Sequence, residues 1–586
     1  MEKVVDHAYF TRKMFLRSVL ASPLAAIGLA LAEMGDTILV GHAIGIDGLA
    51  AVGYASPLFL LATFFVFGLS MGGAIVYSNL VHEGKKEAAL DIFNFFFRIS
   101  VIIGFGITAA GLLGEEILLD LLGANPEEAH VYGMLKEYVF YILLGIPFEI
   151  LMEVLTAYLR NDDADGLSVA IQSASGVVNI AVSALLLFVF DWGIAGCSFG
   201  FFFSNCLAVV VSMGYILFRG KGELSFRWKT ASLRDAVKPL RLGFATSSEY
   251  IFDALFTLVV LHLLTDLSGT EGVAIFNVIE NLSLLFIFLY EFIGKTSQPL
   301  FSTFFAECNF AELHRTLRYA LLYALLWGVL ATALVFFFPQ IIGLLFGLDD
   351  VGDVTLAYYA VQVFCVGTIF MGIALILQNY LQSEEDEAGA FLVVFMRRFG
   401  VSLPLALVLT EFGFYAFWMV YPMSEILTLC ILYIYKKRKG EKKVVEKERV
   451  YSASFFGRIE DVEAQLEAIE KFALSWGADS KKCFDLRLTV EEICGIMEER
   501  ATRRKDSHIL TQLTLIAEED GNFKLHLRDD GEELDPFKIS ENPWNEITDE
   551  NEKPDFRSLG LHVIKSHARQ LIYRNYHGFN TTTVTI

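Results

Sequence analysis

The chain has 586 residues, of which 54% are hydrophobic and 52 are Phe, with a mean hydropathy of +0.50 and a formal charge of -22. About 45–50% apolar residues is the norm for soluble domains, so a wholly soluble protein is excluded, and the length suggests three or four domain-sized units. Seven cysteines without C-x-x-C spacing indicate neither a disulfide framework nor a zinc site, and nothing in the acidic balance points to nucleic acid.

Arg12, Lys13 and Arg17 lie in a cytosolic N-terminus, residues 1–17, ahead of the first apolar run. That run is longer than a signal-peptide core and has no small-residue cleavage site, so it is retained as a helix. A hydrocarbon core about 30 Å thick needs roughly 20 apolar residues per helix. About twelve such spans follow, at 18–44, 51–80, 93–122, 131–160, 166–190, 193–218, 237–265, 273–305, 312–347, 352–382, 388–410 and 413–435. They divide into an N-lobe, 18–220, a cytosolic inter-lobe loop, 221–236, and a C-lobe, 237–438. Basic residues occupy alternate loops: Lys85 and Lys86, Arg219 to Arg241, Arg315 and Arg318, Arg397 and Arg398, and Lys436 to Lys439. Such residues mark the cytoplasmic side, which places both termini there in a multi-pass protein of the cell membrane. Acidic stretches such as Asn161-Asp162-Asp163 and Glu384-Glu385-Asp386-Glu387 read as solvated loop surface.

Gly45-Ile-Asp-Gly48-Leu-Ala50 recurs as Gly269-Thr-Glu-Gly272-Val-Ala274, an offset of 224 residues. Each copy opens a long apolar span, and the matching loops have the same sidedness. Six spans per half then make parallel repeats about an axis along the membrane normal, with a cavity between them. The repeat frames a family resemblance. Asp36-Thr-Ile-Leu-Val-Gly41-His, Gly45, Gly48-Leu-Ala-Ala-Val-Gly53, Ser70-Met-Gly-Gly-Ala and the Gly84-Lys85-Lys86 turn resemble the first two helices of the multidrug and toxic compound extrusion (MATE) family. Gly269-Thr-x-Gly-Val-Ala and Gln298-Pro299 are similar to the equivalent part of its second half. Over residues 12 to 438 the resemblance implies export of organic, often cationic, substrates coupled to Na⁺ or H⁺ entry. A lipid or glycan flippase of the same superfamily is an alternative function.

Ionisable residues inside spans are functional candidates because charge at membrane depth is costly. Asp36, midway along the first span beside Glu33 and Thr37, matches the family's coupling acid; a structural hydrogen bond is the competing role. In the seventh span Asp253 falls where one branch of the family carries an acid, with Glu249 four residues earlier on the same helix face, a spacing at which the two acids are expected to share a proton or a sodium ion. Glu33, Thr37, Glu280, Gln172 and Asn179 are candidates for the substrate cavity, as are Glu149, Glu153 and Asn205. Glu291 and Lys295 have the spacing of a structural ion pair. The tenth span carries no interior acid, which argues against the sodium coupling of the branch that places an aspartate there.

Residues 439–449 are a charged linker whose lysines are expected over anionic head groups. Residues 450–586 change periodicity. Ile459, Val462, Leu466, Ile469 and Phe472 have helical spacing, a second helix runs through Glu492, and alternating segments at 509–517, 522–528 and 571–586 read as strands. Helices on an antiparallel sheet make an α+β sandwich. Glu492, Asp529-x-Gly531 with the following Asp535-Pro536, and Leu559-Gly560-Leu561 are similar to the ATP-binding domain of histidine kinases and gyrase, most closely its anti-sigma-factor kinase branch. The resemblance implies that Asp529 and Gly531 receive adenine, that Gly560 and Leu561 approach phosphate, and that Glu492 is the general base. Ile496 stands where the family has the asparagine that holds Mg²⁺, and its side chain offers no oxygen to a hard cation. The expectation is nucleotide binding that is weak or independent of Mg²⁺, without kinase activity, in a module that regulates the exporter or binds a cytosolic protein. A membrane receptor signalling through an active kinase tail is the rival reading.

Overall fold

The computed structural model describes residues 7–20, 22–82, 85–162, 164–218, 224–347, 354–439, 449–456, 459–504, 509–531, 533, 535–537, 557–576 and 579–586. Its membrane half is all helix, as it must be where lipid cannot satisfy backbone polar groups. The first half contains α1 (His7–Val19), α2 (Ser22–Glu33), α3 (Gly35–Ile44), α4 (Ile46–His82), α5 (Lys86–Leu113), α6 (Glu115–Leu121), α7 (Ala129–Arg160), α8 (Asp165–Phe188) and α9 (Ile194–Phe218). The second contains α10 (Leu233–Ala306), α11 (Phe310–Phe337), α12 (Gln340–Phe346), α13 (Val354–Ser383), α14 (Glu387–Phe395), a π-helical turn at Met396–Gly400, α15 (Ser402–Thr410), α16 (Phe414–Phe417) and α17 (Val420–Lys439).

Among the described residues, ten helices are long and apolar enough to cross a membrane. One of them, within α10, counts twice, because its backbone leaves helical geometry at Gly269. The broken pair α2 and α3 supplies the remaining crossing, which gives the twelve expected. The first span is thus not the single helix 18–44: it is interrupted at Met34. The residues ahead of it form a separate amphipathic helix, α1, which buries Phe10, Met14 and Phe15 and exposes Arg12, Lys13 and Arg17. The ninth span ends early, at Phe337, where Pro339 cannot continue the hydrogen-bond ladder.

The internal repeat is structural. Gly45 has φ 84° and ψ -152°, and Gly269 has φ 64° and ψ -152°, so both copies make the same turn in a region that glycine alone enters freely. In the next span α5 and α11, each of 28 residues, begin 224 residues apart.

Two of the loops read as solvated are tied down. Asp162 accepts hydrogen bonds from the Tyr77 hydroxyl at 2.8 Å and the Leu224 N–H at 3.1 Å. Asp386 caps α14 through the Gly389 N–H at 3.0 Å and pairs with Lys439 at 2.7 Å, while Lys436 meets Glu384 at 2.8 Å. Those two lysines at the end of α17 therefore bind acids of a neighbouring loop. The rest of the linker, from residue 440 to 448, lies outside the described residues.

The tail is a five-stranded antiparallel sheet of order β1-β2-β3-β5-β4, comprising β1 (Val450–Phe456), β2 (Leu510–Ala517), β3 (Phe523–Asp529), β4 (Gln570–Tyr576) and β5 (Phe579–Thr585). Three helices complete it: α18 (Ile459–Ser475), α19 (Ser480–Arg504) and α20 (Arg557–His567). β1 was not foreseen, and the segment 571–586 is a hairpin, not one strand. Leu513, Leu515, Leu525, Leu527 and Val584 project from one face into a core with Ile469, Leu486, Val490, Ile493 and Leu561. The opposite face carries Gln512, Thr514, His526, Arg528 and Thr583, as the alternation of strand side chains requires. These polar residues are buried, because that face sits on the end of the helical bundle.

Candidate functional site

The break at Met34 places Asp36 in the first turn of α3, where unpaired N–H groups and the helix dipole favour negative charge. Asn179 of α8 donates from Nδ2 to Asp36 Oδ2 at 2.7 Å. The Cys197 thiol of α9 lies 3.9 Å from the Asp36 carbonyl oxygen, and Ser183 donates to the Cys197 carbonyl at 3.2 Å. Asp36 Oδ1 is buried without a hydrogen-bond partner, and the carboxylate has no ion pair among the described residues. Sequence reasoning singled out Asp36 and Asn179 separately, and the fold brings them together. Thr37 is buried beside them. Ser183 and Cys197 were not singled out, since a lone Ser or Cys in an apolar span carries no signal of its own.

A second group of acids lies nearby in the same lobe. Gln172 donates to Glu153 at 3.0 Å and to the Thr156 hydroxyl at 3.3 Å, and Arg160 donates to Gln172 Oε1 at 3.1 Å. Glu149 keeps a buried oxygen without a hydrogen-bond partner among the described residues, while the Glu33 side chain at the end of α2 is accessible. Asn205 donates to the Phe201 carbonyl of its own helix at 3.0 Å. A groove of about 240 Å³ between α8 and α9 is lined by Leu167, Ile171, Ser175, Val178, Ser204 and Val211 and holds none of the candidate acids.

The C-lobe is arranged differently. The π-helical turn at Met396–Gly400 presents two consecutive arginines. Arg397 makes a forked, buried pair with Glu425, from Nε at 2.8 and 3.0 Å and from the terminal nitrogen at 2.8 Å. Arg398 lies 3.3 Å from Asp253. Tyr421 donates to Glu280 at 3.1 Å. Glu291 and Lys295 pair at 2.5 Å, as their spacing predicts. Asp253 is thus a paired carboxylate, whereas Asp36 is not. The apolar spans hid this, because the sequence does not say which acid an arginine on another helix will face.

The two lobes meet at both ends of the bundle. Far from the tail, Tyr54 and Thr265 share a hydrogen bond at 2.8 Å and Asn277 donates to the Leu49 carbonyl at 2.8 Å. Nearer the tail, a Cβ on Gly72 would lie 2.0 Å from the Pro239 oxygen, and one on Gly243 would lie 2.0 Å from the Gly68 oxygen. Only glycine permits such backbone contact.

In the tail, Asp529 Oδ1 accepts hydrogen bonds from the Gly531 N–H and from Asn580 Nδ2, both at 2.9 Å. Burial, reinforced by Asp530, pushes its carboxyl up to about 6 against the pull of those two donors. Asn580 accepts in turn from Tyr573 at 2.7 Å and Asn575 at 2.9 Å, so the acid is held in one orientation. Such a carboxylate fits an adenine amino group. A Cβ on Gly560 would lie 2.2 Å from Glu492 Oε1; the general-base candidate therefore rests on the helix start expected to receive phosphate, and Leu561 is in the core. Ile496 packs half-buried against that core. Its hydrocarbon side chain brings no oxygen to the position where the resemblance places the Mg²⁺ ligand.

Two six-span lobes built on one repeat, with buried acids inside the bundle and a nucleotide-fold sheet at one end, define a two-lobed membrane transporter with an appended ATPase-like domain. The MatE family profile matches residues 23–185 and 242–408, and the chain belongs to that family, the family of multidrug exporters. The histidine kinase-like ATPase domain matches residues 457–586. The chain is 22% identical over 440 residues to the probable multidrug resistance protein YoeA of Bacillus subtilis, covering 73% of this chain and 93% of that one. It is 22% identical over 420 residues to the multidrug resistance protein NorM of Photobacterium profundum, covering 69% and 88%. An inward-facing structure of a multidrug resistance MATE transporter superposes with a TM-score of 0.66 at 17% identity, over 72% of this chain and 97% of that one. An outward-facing structure of a multidrug resistance MATE transporter gives 0.56 at 16% identity, over 75% and 98%.

Proposed function

We propose that the chain exports organic compounds from the cell in exchange for Na⁺ or H⁺, with Asp36 as the residue that takes the coupling cation. The observation that supports this most directly is the state of its carboxylate: one oxygen held by Asn179, the other buried without a partner, and no arginine or lysine paired with it among the described residues. A buried carboxylate costs least when a proton or metal ion neutralises it, and leaving the site requires that the bundle reopen. Asn179 orients the acid, while Glu33, Thr37, Gln172 and Glu280 are proposed to border the substrate path. Asp253 and Glu249, beside Arg398, respond to charge on the substrate or to a second proton; Arg398 already supplies the positive charge that Asp36 lacks. Both termini face the cytoplasm in this reading, as the basic loops require.

The tail is a regulatory module that binds an adenine nucleotide through Asp529 and Gly531 without Mg²⁺ chemistry, because Ile496 offers no ligand and Glu492 rests against Gly560. Energy for export then comes from an ion gradient. Reconstitution in proteoliposomes tests both halves. Wild-type protein is expected to move an organic cation in response to a Na⁺ or pH gradient without ATP, and Asp36→Asn is expected to abolish that response while the protein stays folded. Transport that needs ATP, or survives Asp36→Asn, would sink the proposal.

A further inference from the structure

The tail is seated on the bundle through the residues that flank its adenine-binding aspartate. Arg528, one residue before Asp529, reaches out of the sheet's polar face to bind Glu307 at the end of α10; their side chains are 4% and 2% exposed. The same guanidinium donates to Gln512 at 2.8 Å and to Thr581 at 3.2 Å and lies over the Phe304 ring at 5.2 Å. Asn309 adds a bond to Ser452 at 3.1 Å. Asp530, one residue after Asp529, pairs with Lys13 of α1 at 2.5 Å while its other oxygen holds the Leu510 N–H at 2.9 Å. The aspartate that faces adenine is therefore bracketed by two residues fixed to the membrane half, one at α10 and one at α1.

The N-terminal helix is bound on both sides. Towards the bundle, Thr11 donates to Glu312 at 2.5 Å and Phe15 lies 6.1 Å from the rings of Tyr319 and Tyr323. Towards the tail, Phe10 meets Phe579 edge-on at 5.6 Å and Arg17 lies over the same ring at 5.6 Å. Only residues 20 and 21 separate α1 from α2, which leads through the break at Met34 to Asp36. The helix that grips the adenine turn thus continues into the span that carries the coupling acid.

The geometry points to α1 as a connecting rod: a nucleotide at Asp529 and a cation at Asp36 are thermodynamically linked through Lys13, so that each changes the affinity of the other. This inference rests on both parts of the proposed function, the regulatory reading of the tail and Asp36 as the residue that takes the cation. Linkage requires an element with two arrangements that both sites bias, and in this proposal that element is the seat. Glu307 Oε2, Gln512 Nε2 and His526 Nε2 are buried in it without hydrogen-bond partners among the described residues, so a shifted arrangement loses less than it would from a fully satisfied interface. The two ion pairs have different parts. The Arg528–Glu307 pair is fully desolvated, and removing one partner would strand the other. The Lys13–Asp530 pair is held at its lysine end by a side chain that is 44% exposed, so breaking it disturbs the link and spares the seat.

The test uses the full chain in lipid nanodiscs. ATP affinity is measured without Mg²⁺, at low and high Na⁺ at fixed pH and then across a pH series without Na⁺, so that either coupling ion is sampled. Linkage predicts that one of these ions shifts the apparent Kd for ATP about fivefold or more, and that ATP shifts the affinity for that ion by the same factor. Lys13→Ala is expected to reduce the factor at least by half, with the ion-free ATP affinity unchanged, since the Phe579 and Glu307 contacts of the seat stay in place. Asp530→Asn, a milder break of the same pair, should reduce it in the same direction. Asp36→Asn should remove the ion's effect and leave ATP binding at its ion-free value. ATP binding that ignores both ions, or a full shift retained in Lys13→Ala, overturns the inference alone. Failure of ATP to bind under any condition overturns the regulatory reading and the inference with it.

Discussion

The two lobes share a repeat and a helix order, yet they neutralise their buried acids in opposite ways. In the N-lobe, Asp36 is held by a neutral amide and Glu149 keeps an unpartnered oxygen. In the C-lobe, Asp253 faces Arg398 and Glu425 is clasped by Arg397. Asp253 and Glu425 have an arginine of their own lobe beside them, whereas Asp36 has no ion pair among the described residues and the nearest guanidinium of the acid group in its lobe, Arg160, is spent on Gln172. The difference teaches that duplicating a fold does not duplicate its electrostatics.

The largest effect is expected from breaking the C-lobe side. Arg397→Met leaves Glu425 charged and buried, which costs about 3–5 kcal/mol, while Arg397→Met with Glu425→Met should recover most of the loss; thermal unfolding in detergent separates the two. A small loss in the single variant would show that the forked pair is not what holds that lobe. Next comes the transplant of the C-lobe arrangement into the N-lobe. Asn179→Lys places an internal cation against Asp36 and should depress gradient-driven transport by about 100-fold, near 2.7 kcal/mol. Wild-type transport in that variant would mean that Asp36 does not receive the coupling ion. The reverse exchange, Arg398→Gln, leaves Asp253 without its arginine. It should add a second titration to the pH profile of transport and lower its rate about tenfold, near 1.4 kcal/mol. An unchanged profile would show that the Arg398 pair does not set the behaviour of Asp253.

An effect of similar size to that of Arg398→Gln, read in binding and without a substitution, lies in the tail. Asp529 has its carboxyl raised to about 6, chiefly by burial, from an ordinary value of 3.8. In the proposed site it is ionised above pH 6 and a strong acceptor for an adenine amino group, and below pH 6 it is protonated and a weaker one. Nucleotide affinity should therefore rise about tenfold between pH 5 and pH 7. The raised value also means that folding gains from the neutral form at low pH and loses that contribution as pH climbs through 6. Isothermal titration at several pH values checks the binding, and a flat profile would remove Asp529 from the site.

Much of this was legible without coordinates. Span length fixes helices in lipid, so the twelve crossings and their division into lobes follow from the spacing of apolar runs. The glycines at 45 and 269 announce a shared turn because few other residues can enter it. Asp36 stands out because an acid at membrane depth is costly, and Ile496 because a hydrocarbon cannot bind Mg²⁺. The strand at Val450–Phe456 escaped notice, since a short segment after a charged linker shows its pairing only when β2 lies beside it.

What chain order alone determined, then, is the partition: a helical bundle in two related halves, a sheet domain after the last basic cluster, and a short set of candidate acids. Tertiary structure decided which of those acids are compensated, because Arg398 and Asp253 lie on helices far apart in sequence, as do Asn179 and Asp36. It also decided that Arg528 and Asp530 bind Glu307 and Lys13, turning an appended domain into a seated one. Local pattern records what a residue needs from its solvent; long-range packing sets which partner supplies it.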